Sequence, residues 1–159
     1  MNIFVVSDTH GDISRAIEMY DRLSAGIPFD LLIHCGDHKR DAVRLGDALG
    51  LETVSVRGNC DHSFTRDFQV VEAPSARILV THGHMEDVKF SKMNLIYLAR
   101  EKNCGFVCFG HTHVPVNEEA NGIHLLNPGS ITLPRDGTRG SVGLIVSNPA
   151  HTAASIIYY

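Results

Sequence analysis

Three short apolar runs alternate with two amphipathic helical patterns in the first third of the chain, and that order leaves few folds open. Residues 2–7, 31–35 and 53–56 are β-branched, aliphatic or aromatic runs of the length and bounding that make buried strands. Between the first two, Ile13, Ala16, Ile17, Tyr20 and Leu23 recur at helical spacing and stop before Gly26 and Pro28. Between the second and third, Ala42, Val43, Leu45, Ala48 and Leu49 do the same and stop at Gly50. Strand-helix-strand-helix-strand implies parallel strands joined by right-handed crossovers.

The pattern then changes. Residues 69–72 and 77–81 read as strands broken at Ala73-Pro74-Ser75, 90–102 as a helix with Met93, Ile96, Tyr97 and Arg100 on one face, and 106–109 as a strand. Asn121-Gly122 between 114–118 and 123–126 is a hairpin signal, and 141–147 with 153–158 around Asn148-Pro149 reads as a second hairpin. The expectation is an α/β chain with two packed sheets flanked by helices. Its 159 residues suit a single domain spanning 1–159, and 43% hydrophobic with 20% charged residues excludes a disordered or fibrous chain.

A net charge of −4 without runs of like charge argues against a nucleic-acid-binding surface or a polybasic membrane patch. No secretory signal, lipidation signal or membrane-spanning stretch is evident, so a cytoplasmic location is expected. Cys35, Cys60, Cys104 and Cys108 lack zinc-ribbon or redox spacing. Cys104 and Cys108 read as lying in one strand, about 13 Å apart and beyond disulfide reach. Cys35, Cys104 and Cys108 are expected to be small buried hydrophobes.

The ends of the predicted strands carry the chemistry. They read Asp8-Thr-His10, Gly36-Asp37, Gly58-Asn59, His82-Gly83 and Gly110-His111-Thr-His113, so five strands finish in a metal-capable side chain. Ligands of open α/β sheets bind beyond the carboxyl ends of strands, where such loops converge. Asp8/His10 and His111/His113 stand two residues apart, and an extended local backbone would project both members to the same side. Any one fragment alone is ordinary turn chemistry. Turn preferences do not explain five in succession.

Two aspartates, one asparagine and four histidines, with no thiolate, suit manganese, nickel, zinc or iron better than calcium or magnesium. Seven groups exceed one ion's needs and suffice for two ions sharing a carboxylate, about 3.5 to 4 Å apart. Two divalent ions less two carboxylates leave about +2 at the centre, so a small anionic phosphoester is the expected substrate.

In order, DTH, GD, GNCD, HGH and GHTH, with Asn127-Pro-Gly-Ser130 downstream, resemble the motif series of the calcineurin-like metallophosphoesterases. The short length and the GNCD variant resemble the small YfcE-type branch. The resemblance implies a four-layer αββα sandwich of two mixed sheets and a phosphodiesterase that attacks with a metal-bridging hydroxide. It also implies Asp8, His10, Asp37 and His113 on one ion and Asp37, Asn59, His82 and His111 on the other, with Asp37 as the bridge. Of the ions the donor set admits, manganese is the leading expectation. The sequence leaves open assembly into a homo-oligomer.

Many relatives carry a histidine where this chain has Cys60, so the proton donor to the leaving group differs. Cys60 is read either as a weak thiol donor or as a packed small side chain. Asp61 is expected to orient the loop or a ligand histidine. His34 reads as a core or ligand-supporting residue. His38, His62 and His84 flank ligands and could touch phosphate, shuttle protons or lie at the surface, while His124 and His151 read as structural or exposed. Two other functions compete with the diesterase. One is a phosphomonoesterase; the other is a non-catalytic interaction scaffold of the kind a retromer subunit makes from this fold. Completeness of the seven ligands argues against the scaffold.

Overall fold

The computed structural model describes residues 1–62 and 67–159. Its elements run β1 (Asn2–Val6), α1 (Ser14–Ser24), β2 (Leu31–His34), α2 (Lys39–Leu49), β3 (Thr53–Ser55), β4 (Phe68–Ala73), β5 (Ala76–Thr81), α3 (Met93–Glu101), β6 (Phe106–Cys108), β7 (Val116–Ala120), β8 (Ile123–Asn127), β9 (Ser141–Ser147) and β10 (Thr152–Tyr158). The strands form two five-stranded sheets, ordered β10-β9-β1-β2-β3 and β4-β5-β6-β8-β7.

In the first sheet β1, β2 and β3 are parallel, as the crossover pattern requires, and β9 adds antiparallel to β1. In the second, β5, β6 and β8 are parallel while β4 and β7 close the edges antiparallel. Both sheets are therefore mixed.

The period of two along a strand sorts side chains into layers. Ile3 and Val5 of β1, Ile78 and Val80 of β5, and Phe106 and Cys108 of β6 meet between the sheets. Phe4 and Val6 face the other way onto Ala16 and Met19 of α1 and Leu45 of α2. On the far side Leu79 and Val107 pack against Leu95, Ile96 and Ala99 of α3. Helix, sheet, sheet, helix is thus the order of layers, the αββα sandwich expected. Each sheet is apolar on both faces, which explains why β1 and β2 read as continuous rather than alternating runs.

Asn121 (φ 52°) and Gly122 (φ 74°) both take the left-handed region that a two-residue hairpin of this kind needs. The third helix is shorter than the periodicity predicts, beginning at Met93 rather than residue 90 because residues 84–90 form turns that leave Phe90 exposed. Cys104 precedes β6 rather than lying within it, yet it is buried, as are Cys35 and Cys108, and all four cysteines are free. No helix among the described residues is long and apolar enough to cross a membrane.

Candidate metal centre

Strand ends from both sheets converge on one edge. Asp8 and His10 follow β1, Asp37 follows β2, Asn59 follows β3, His82 follows β5, and His111 and His113 follow β6. Backbone bonds lace the loops together: Asp8 N–H donates to Gly36 O (3.1 Å) and Gly110 N–H to His82 O (3.0 Å). The His111 amide donates to Asp8 Oδ2 (3.1 Å), which ties the two sheets together at the site itself.

The backbone there is not extended. Asp8, His10, Asp37, His111 and His113 all have positive φ, between 48° and 68°. Both members of each pair turn left-handed, which corrects the extended geometry expected from their spacing, and Asp8 and His10 nonetheless face one another's donors. Non-glycine residues enter this region at a cost of about 1–2 kcal/mol each, so the surrounding hydrogen bonds must hold the loops against it.

Glycines make room for the carboxylates. A Cβ on Gly58 would overlap Asp37, and one on Gly110 would overlap Ser7 and stand 2.7 Å from Asp8 Oδ2. Gly36, at φ +97°, passes so close that a Cβ would lie 2.8 Å from His82 Nδ1. The Gly-Asp, Gly-Asn and Gly-His pairs read from the sequence are therefore steric units.

The donor atoms face one another. His113 Nδ1 donates to Leu133 O (2.7 Å) and His82 Nδ1 to Cys35 O (2.7 Å), which points Nε2 of each ring into the site. His113 Nε2 lies 3.3 Å from Asp8 Oδ1 and 3.2 Å from His10 Nε2. His82 Nε2 lies 3.2 Å from Asn59 Oδ1, 3.6 Å from Asp37 Oδ1 and 3.9 Å from Asp8 Oδ1. Asp8 Oδ1 is buried without a hydrogen-bond partner. Ring nitrogens and carboxylates converging in a buried site call for positive charge among them; the Asp8 carboxylate raises the His113 imidazole toward its protonated form, and a bound cation would take that proton's place. The donor set therefore fits divalent cations.

Among the described residues, three groups hold candidate donors whose atoms lie within 4.8 Å of one another: Asp8, His10 and His113; Asp8, Asp37 and His82; and His10, Asp37 and Cys60. Asp37 presents its two oxygens in two directions, Oδ2 toward His10 Nε2 (4.0 Å) and Oδ1 toward His82 Nε2. His111 is in none of these groups; its ring lies 5.1 Å from that of His82, at the rim. Burial, followed by the neighbouring His82, pushes His111 down to about 4, and burial also lowers His10. Both rings are thereby kept in the neutral form that ligates metals. Burial works to raise Asp8, but His113 and His82 hold its carboxyl below the usual value.

Cys60 is exposed rather than packed, which sets aside its reading as a buried small side chain. Its amide donates to Asp37 Oδ1 (2.9 Å). Partial burial and the Asp37 carboxylate push the thiol up to about 11, so it stays protonated at neutral pH. Asp61 accepts from the backbone N–H of Lys39 (2.8 Å) and Gly58 (2.9 Å), clamping the Asn59 loop to the start of α2. The His38 ring stands 5.1 Å from His10, His84 stands 5.3 Å from His82, and His62 is exposed. His124 stacks on Phe106 with ring centroids 4.4 Å apart, a structural role, and His151 is exposed.

Behind the donors lies a buried relay that sequence reasoning missed. Thr9 Oγ1 donates to Asp41 Oδ2 (2.8 Å) and lies 3.1 Å from His34 Nε2, and the Gly11 amide donates to the same Asp41 oxygen (2.7 Å). Asp41, on α2 and 2% exposed, thus holds the loop that carries Asp8 and His10. His34 was legible as a supporting residue; Asp41, the acidic residue in the first turn of α2, carries no local sequence signal of this role.

A family model for the calcineurin-like phosphoesterase superfamily domain matches residues 1–148. The probable metallophosphoesterase YsnB of Bacillus subtilis is 36% identical over 162 residues, which covers 100% of this chain and 90% of that protein. The phosphodiesterase YfcE of Escherichia coli is 29% identical over 170 residues, covering 91% of this chain and 87% of that one. Among solved structures, Vps29 of Entamoeba histolytica complexed with zinc superposes with a TM-score of 0.78 at 20% identity, covering 99% of each chain. At that identity the likeness extends to the fold.

Proposed function

Since the chain belongs to the calcineurin-like phosphoesterase superfamily, we propose that it is a metal-dependent phosphodiesterase acting on small anionic phosphodiesters through a dinuclear centre. The observation that carries this reading is the buried, unpartnered Asp8 Oδ1 facing the Nε2 atoms of His113 and His82. Asp8, His10, Asp37 and His113 are assigned to one ion and Asp37, Asn59, His82 and His111 to the other, with manganese the leading candidate and nickel, zinc or iron fitting the same donors. Bound there, such ions polarise phosphoryl oxygens and lower the pKa of water.

The chain's own residues supply position and protons. Leu133 O and Cys35 O fix the tautomers of His113 and His82, and Asp61 fixes the loop of Asn59. The Cys60 thiol, protonated and exposed beside Asp37, is the candidate assigned to meet a leaving oxygen on that side. A thiol is a weak donor, so good leaving groups are favoured. The domain is taken to span residues 1–159, and the four free cysteines accord with a cytoplasmic location.

Asp37→Ala tests the assignment. It should abolish diester hydrolysis and lower metal content while the protein stays folded by circular dichroism. Full activity in that variant, or in chelated wild type, would overturn it. The likeness to Vps29 gives the interaction-scaffold reading some support, while the probable metallophosphoesterase and phosphodiesterase relatives favour the enzyme.

A further inference from the structure

A cleft of about 520 Å³ opens beside the centre, lined among the described residues by His38, Lys39, Arg40, Cys60, Asp61 and His62. Cys60 belongs both to this cleft and to the donor group with His10 and Asp37, so cleft and centre are continuous. Two cationic side chains line it against one carboxylate, and that carboxylate, Asp61, is already engaged by the amides of Lys39 and Gly58. Among the described residues neither Lys39 nor Arg40 forms an ion pair, although Arg44, one turn along α2, pairs with Asp41 (3.3 Å) and Arg57 with Asp67. Other cations also act on the centre, Lys89 on His111 and Arg135 on His113, but Lys39 and Arg40 are the two that line this cleft, in a chain of net charge −4.

Resting on the phosphodiesterase reading, we infer that this cleft receives the leaving group, and that Lys39 and Arg40 select leaving groups carrying a second anionic substituent such as a phosphate or phosphonate. In the reaction water's oxygen bonds to phosphorus and the P–O bond to the leaving group breaks. One proton from water ends on the leaving oxygen and the other is released to solvent from the product monoester. The anion held by Lys39 and Arg40 takes no part in bond making. It adds binding energy equally to the ground and transition states, so the effect falls on KM more than on kcat.

The test uses two diesters with the same scissile bond, methyl para-tolyl phosphate and its analogue bearing a phosphonate on the para-methyl carbon. The phosphonate cannot be hydrolysed and only adds charge. Two exposed charge contacts give about a tenfold preference in kcat/KM, which shrinks as salt is added. In Lys39→Ala/Arg40→Ala the preference should vanish with turnover of the tolyl diester unchanged. The phenolic phosphonate product should also bind wild type about tenfold more tightly than the double variant by calorimetry. Equal kcat/KM for the two diesters in wild type, or an undiminished preference in the double variant, would overturn the inference while leaving the diesterase reading standing. If the tolyl diester is not turned over at all, the diesterase reading falls and product binding decides alone: weaker binding in the double variant supports the cationic cleft, and equal binding overturns it.

Discussion

Gly110→Ala probes how tightly the fold is built around its donors. A Cβ there would overlap Ser7 Oγ and approach Asp8 Oδ2 to 2.7 Å, and both atoms belong to one short hydrogen bond, Ser7 Oγ–H to Asp8 Oδ2 at 2.6 Å. The backbone cannot retreat easily, since the Gly110 amide donates to His82 O and its carbonyl accepts from Asn127 Nδ2 (2.9 Å). Overpacking of a full core costs about 1–3 kcal/mol, and losing a hydrogen bond to a charged group about 1.5–3 kcal/mol. A loss of about 3 kcal/mol or more lowers Tm by about 6–12 °C in a chain of this size. Gly105→Ala is the control, because a Cβ there meets nothing within 4 Å. Thermal denaturation of both variants, with metal affinity by calorimetry, is the assay. A Gly110→Ala protein that melts and binds metal like wild type would refute the steric reasoning.

Cys60 gives a second expected outcome: aryl diesters should outrun alkyl ones by a wide margin, and Cys60→His should narrow it if the imidazole reaches the leaving oxygen. Equal aryl and alkyl rates with chemistry rate-limiting would point to another acid, and His62 and His84 would be substituted next. His34 gives a third. Burial pushes it down from 6.5 to about 4, so the folded state keeps it neutral where the unfolded chain takes up a proton. Stability from this group is complete above the unfolded value and is lost as pH falls from 6.5 toward 4, by about 3 kcal/mol in total. Urea unfolding of metal-free protein across that range should show a steeper loss in wild type than in His34→Gln; parallel curves would contradict it.

Much of this arrangement was legible because burial writes itself into sequence. Strands such as β1 and β5 end where an apolar run meets Asp8 or His82, and the Asn121-Gly122 turn announces its own geometry. The order of strands was less legible. Nothing local in Ser141–Ser147 says that it will pair with Asn2–Val6 rather than extend the second sheet. The left-handed backbone at Asp8, His10, Asp37, His111 and His113 was hidden for a related reason, since tertiary hydrogen bonds impose it against local preference. The Thr9–Asp41 bond was hidden by distance, its partners lying 32 residues apart on a loop and a helix.

The most direct measurement is a titration of chelated protein with manganese, reading bound metal and hydrolysis of an aryl phosphodiester in the same samples. The donor geometry predicts no turnover without metal and activity that rises to a break at two equivalents per chain, with Asp8→Asn unable to reach it. Hydrolysis that is undiminished in the chelated protein, or that saturates at one equivalent, would contradict the dinuclear centre.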